Sequence, residues 1–134
     1  MPIYVAGPVV RPTMRQPVWV AACYELIEDS LRFSPRFKAR LPIAESMLER
    51  MDAGSFVTEL THRIRSSDRV IAVFLPEDQS VPVECALAVA AGKRVLILHE
   101  SDTRIPRILA GLSLVTTAVF GPNTSRRIQL FLAE

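Results

Sequence analysis

The chain predicts an α/β fold: a three-layer sandwich with helices on both faces of a parallel five-stranded sheet of the flavodoxin or Rossmann kind. Three observations predict it. Apolar runs and helical stretches alternate along the sequence as β-α-β-α-β-α-β-α-β-α. The runs 69–75 and 94–98 are almost unbroken Val, Ile, Leu, Ala and Phe, as in strands buried on both faces. No internal repeat, linker or low-complexity segment interrupts the pattern, so residues 1–134 read as one domain. Right-handed crossovers then place helices on either side of the sheet.

Each element follows from local signals. Pro2 to Ala6 forms the first strand, closed by a turn at Gly7-Pro8. The segment 9–16, with Arg11, Pro12 and Arg15, is too broken for an element and reads as a loop over that strand's end. Pro17 suits the first position of a helix. Trp19, Ala22, Cys23, Leu26, Ile27 and Leu31 then recur at three- and four-residue spacing, giving one buried face opposite Glu25, Glu28 and Asp29.

Phe37 to Ile43 forms a short second strand, at an edge because of Pro42. A short helix or turn follows over 44–51. Ser55 is the expected cap of a helix over 56–65, whose stripe is Phe56, Leu60 and Ile64.

The stretch Ser67 to His99 organises the rest: strand, acidic turn, helix, strand. Its helix is expected over Pro82 to Ala91, ended by Gly92-Lys93, with Glu84 in the first turn. A short helix over 105–112, a fifth strand over 114–120 and a closing helix over 125–133 complete the pattern.

Bulk composition narrows the function. Apolar residues make up 49% and charged residues 22%, the proportions of a soluble globular protein. The formal net charge of +2, from 16 basic and 14 acidic residues, gives no reason to expect nucleic acid as a partner. The clusters Arg32, Arg36, Lys38, Arg40 and Arg104, Arg107, Arg126, Arg127 read as solvated faces. The first ten residues are apolar but uncharged and broken by Gly7 and Pro8, a strand and not a leader. No apolar run approaches membrane-spanning length, and a cytoplasmic location is expected. Cys23 and Cys85 fall in apolar helical patterns and read as buried free thiols.

Several chemistries are excluded by motif. Nothing matches a Walker loop or a GxGxxG turn after the first strand. His62 and His99 have no companion at ligand spacing, so neither a metal nor another cofactor is expected. A nucleophile elbow, GxSxG, is absent. A carboxylate constellation remains: Glu84, Asp78, Glu77 and Glu59. Paired acids suit glycosidic chemistry, where one stabilises or attacks the anomeric carbon and the other handles the leaving group's proton. At a helix start, the macrodipole is expected to keep Glu84 ionised. On residue type alone, a plain helix cap is the favoured reading of Glu84.

The motifs, taken together, resemble the nucleoside 2-deoxyribosyltransferase family, including the related 2′-deoxynucleoside 5′-monophosphate N-hydrolases. Tyr4-Val5-Ala6-Gly7-Pro8 is similar to the family's opening strand signature. Glu59 and the following Ser67-Asp68-Arg69-Val70 resemble its acidic helix and next strand. Ser80-Val81-Pro82-Val83-Glu84 occupies the place of its G-x-x-x-E segment, with Ser80 and Pro82 where glycines are usual.

The resemblance implies that Glu84 attacks the anomeric carbon of a nucleoside or nucleotide, forming a glycosyl-enzyme. It implies that Asp78 protonates the departing base and that Glu59 holds Glu84 or the sugar hydroxyls. Tyr4, Gly7 and Pro8 would line the pocket, and Ser80 would offer a hydroxyl. Arg11 and Arg15 stand where the hydrolases keep basic residues for a 5′-phosphate, though ordinary loop solvation also accounts for them. The small-molecule partner is a nucleoside or nucleotide, and the resolving group is a second base or water. A homodimer or larger homo-oligomer is expected, with Trp19, Phe33 and Phe37 at the interface or in the core. The rival reading is a catalytically inactive nucleotide-binding or sensor domain of the same fold.

Overall fold

A parallel sheet with strand order β2-β1-β3-β4-β5 forms the centre of the protein. The computed structural model describes residues 2–8, 17–32, 36–40 and 50–134. The strands are β1 (Pro2–Ala6), β2 (Lys38–Arg40), β3 (Arg69–Val73), β4 (Val95–His99) and β5 (Val115–Val119). The helices are α1 (Val18–Arg32), α2 (Ala53–Arg65), α3 (Ser80–Ala90), α4 (Arg107–Ala110) and α5 (Thr124–Ala133). Every strand pairing is parallel, with Ala6 opposite Ala72 and Val73 opposite Leu98.

Alternation along the strands divides the core into two layers. Ile3, Val5, Ile71, Val73, Leu96 and Leu98 face Val20, Cys23, Ile27 and Leu31 of α1 and Ile128 and Phe131 of α5. Tyr4, Ala6, Val70, Ala72, Val95 and Ile97 face Leu60 and Ile64 of α2, Val81, Cys85 and Ala88 of α3, and Leu109 of α4. Both faces of the sheet are therefore covered, which is why its strands carry unbroken apolar runs. At about 25 cal/mol per Å² of apolar surface removed from water, these two layers are the main stabilising term. Cys23 and Cys85 are buried free thiols, as expected. Phe37 is buried in the α1 layer, and Trp19 packs there against Phe120, with ring centroids 5.5 Å apart. Core packing accounts for both. Phe33 lies outside the described residues.

Element boundaries moved where tertiary contacts outweigh local signals. The second strand is described only over 38–40, and the expected helix or turn over 44–51 lies mostly outside the described residues. The cap of α2 is Asp52, not Ser55: its carboxylate accepts the Ser55 amide at 2.7 Å, so the helix begins at Ala53. Helix α3 begins at Ser80, two residues before Pro82. Pro82 is still in the first turn, where an amide hydrogen has no intrahelical partner to lose. Among the described residues, no helix is long and apolar enough to cross a membrane.

Gly92 ends α3 as anticipated. Its φ of 74° is the left-handed conformation, and the Gly92 and Lys93 amides donate to Val89 and Ala88 at 2.9 Å each. A side chain there is strained even though nothing crowds it. Gly92→Ala is expected to cost about 1–2 kcal/mol, read as a lower thermal midpoint with unchanged activity.

Candidate active site

In a sheet of this order, the progression of strands across the sheet reverses between β1 and β3, and the crevice beyond their carboxyl ends is the natural ligand site. Gly7 and Pro8 leave β1 there, and Phe74 to Ser80 leave β3 there. Helix α3 then carries Glu84 back against the sheet.

Glu84 is 6% exposed, and its Oε2 is buried without a hydrogen-bond partner among the described residues. An orphaned carboxylate oxygen is costly, because desolvation penalises the charged form. Burial, followed by the charge of Asp78, pushes the carboxyl up from 4.5 to about 8. The ionised Glu84 expected from the helix dipole is therefore corrected for the ligand-free protein. Glu84 is the fifth residue of α3, not a first-turn residue, and the dipole's influence fades within the first turn. Burial dominates.

The neighbours of Glu84 come from several elements. Tyr4, 1% exposed on β1, has its phenol held far up by burial and then by the charge of Glu84, with Arg63 opposing. Burial and then Glu84 push the adjacent Cys85 thiol to about 12. Asp78 lies in the turn and accepts two hydrogen bonds on Oδ1, from the Ser80 amide at 2.8 Å and the Ser80 hydroxyl at 2.6 Å. Asp78 is half-buried, whereas Glu77 and Ser80 are exposed.

Glu59 is engaged by Arg63, whose Nε donates to Oε1 at 2.8 Å across one turn of α2. The structure thus brings together Tyr4, Gly7, Pro8, Asp78, Ser80 and Glu84. It ties Glu59 to the group through Arg63 and Tyr4. Arg11 and Arg15 lie outside the described residues.

Tyr24 of α1 belongs to this cluster and was not anticipated. Its hydroxyl donates to the Pro8 carbonyl at 3.0 Å. Burial, and behind it the charges of Cys23, Asp78 and Glu84, hold its phenol up. The available signal was a phenol on the shoulder of the α1 stripe, one turn from Val20. Such a position is usually core, and only the approach of α1 to Gly7 gives it a role.

No protein-family model matches the chain, and no curated relative matches it by sequence. Solved structures are similar, among them the following two. The 2-deoxyribosyltransferase from Bacillus psychrosaccharolyticus superposes with a TM-score of 0.66 at 17% identity, covering 96% of this chain and 90% of that one. This chain has the 2-deoxyribosyltransferase fold. The CMP N-glycosidase BcmB of Clostridium botulinum shares it, with a TM-score of 0.61 at 15% identity over 100% of both chains. In the 2-deoxyribosyltransferase fold seen here, the crevice after β1 and β3 holds one deeply buried carboxyl, one half-buried carboxylate and two phenols.

Proposed function

We propose that the protein cleaves the N-glycosidic bond of a nucleoside, deoxynucleoside or 5′-monophosphate through Glu84. The observation that carries this reading is the buried Glu84 carboxyl at the crevice beyond β1 and β3, whose Oε2 has no partner among the described residues. A merely structural cap would have its oxygens satisfied by helix amides, and this one is not.

In the reaction, a Glu84 carboxylate oxygen forms a bond to C1′ as the bond from C1′ to the base nitrogen breaks. The bond's electron pair goes to the base, which takes a proton from Asp78. Water or a second base then attacks C1′, and the ester's electron pair returns to Glu84. The acceptor's proton, from water or from the second base's N–H, restores Asp78. Tyr4 lies beside Glu84 and supports its orientation. With its carboxyl at about 8, Glu84 holds the pair's proton at pH 7, and the reactive form is the one in which that proton sits on Asp78. Activity is expected to fall above about pH 8, where the pair loses it.

The test is release of free base from a panel of nucleosides and 5′-monophosphates, with and without an acceptor base. Release from at least one is expected. No release from any, with ligand-induced thermal stabilisation, would identify a binding or sensor domain instead. No release and no stabilisation would leave Glu84 as a packing residue.

A further inference from the structure

Tyr24 and Gly7 are built for one another. A Cβ at Gly7 would sit 2.1 Å from the Tyr24 hydroxyl oxygen and 3.0 Å from its ring carbon, so only glycine lets the phenol lie there. From that seat the hydroxyl donates to the Pro8 carbonyl at 3.0 Å, sixteen residues away in sequence. The bond pins the end of β1 to α1, a helix on the opposite face of the sheet from Glu84. Tyr24 thus reaches the end of β1 from one layer, while Glu84 lies on the helix packed against the other.

From this geometry we infer that Tyr24 is a positioning residue: its bond to Pro8 across Gly7 latches the end of β1 and keeps water from the unpartnered Oε2 of Glu84. The groups facing Glu84 are Tyr4 on β1, Tyr24 on α1, Arg63 on α2 acting through Tyr4, Asp78 in the turn, and Cys85 on α3, while Cys23 acts only on Tyr24. Both phenols and both thiols are held above pH 10 by burial, so none of them titrates with Glu84. Tyr24's effect on turnover rests on the N-glycosidic reading. Its effect on the Glu84 proton does not.

The experiment follows the Glu84 carboxyl between pH 5 and 10 by its infrared carbonyl band, identified as the band missing from Glu84→Gln. Tyr24→Phe keeps the ring and removes the latch. Its Glu84 midpoint is expected to fall by about one pH unit or more as water reaches Oε2. The alkaline limb of the base-release profile is expected to move down with it, and kcat/KM at the optimum to fall about five- to tenfold. Gly7→Ala, by displacing the phenol, is expected to move the midpoint the same way. Gly7→Ala/Tyr24→Phe should then shift it no further than the larger single change. A Tyr24→Phe midpoint equal to that of the parent overturns the role, even if the variant melts lower. If the parent protein turns over no nucleotide, the infrared midpoint decides alone, separating this question from that of the activity.

Discussion

Glu84→Gln is expected to reduce base release by at least about a thousandfold while leaving the fold intact, because on the proposed function it removes the group that forms the covalent intermediate. Glutamine matches the shape of a protonated glutamate, the form that burial favours at neutral pH. The packing around Val81, Cys85 and Ala88 should therefore be undisturbed. Intact mass spectrometry during turnover of a slow substrate supplies an independent readout. The parent chain should gain one glycosyl unit, lost on adding water or an acceptor base, and the variant should gain none. Equal rates in the two proteins would remove Glu84 from the chemistry.

Asp78→Asn offers an informative contrast. Its charge is one cause of the elevated Glu84 proton affinity, and its acid form, once it takes over the Glu84 proton, is the expected donor to the base. Without it, Glu84 should ionise at lower pH, yet departure of the base should slow. Substrates whose bases leave without help should be spared, so the loss is expected to grow with leaving-group basicity. A uniform loss across bases would indicate that Asp78 acts only by shaping the turn through Ser80.

What was legible in the sequence is what local pattern controls. Two-face burial wrote itself into the runs at β3 and β4, and helical periodicity gave the α1 stripe at Cys23, Ile27 and Leu31. Gly92 announced its left-handed turn. Glu84 and Asp78 could be singled out because acids are scarce in that stretch. The misses share one cause, which is dependence on contacts distant in sequence. Asp52 outcompetes Ser55 as a cap through the geometry of the incoming chain. The protonation of Glu84 depends on the depth of burial that Tyr4 and the sheet impose, not on its place in a helix. Tyr24 became part of the site only because β1 ends in a residue with no side chain.

The same buried carboxyl makes stability fall with pH. Glu84 binds its proton to about pH 8 in the folded chain and to an ordinary value of 4.5 when unfolded. Below 4.5 both states hold the proton, and the favourable contribution is complete. Between 4.5 and about 8 the unfolded chain releases it freely while the folded chain cannot, so stability drops as pH rises. Above about 8 the loss levels off, at a ceiling of about 5 kcal/mol set by the size of the shift. Other groups also titrate, but they are common to the parent and to Glu84→Gln, so the difference between the two isolates this residue. Thermal melts at a series of pH values should show the variant gaining on the parent from pH 5 to 9, by more than about 10 °C in midpoint. A constant difference would mean that Glu84 is ionised in the folded protein with its burial compensated. The opposite slope would mean a carboxylate stabilised by a cation. On the proposed function, Glu84 is stability given up for activity: removing it should make the protein sturdier at alkaline pH and catalytically inert.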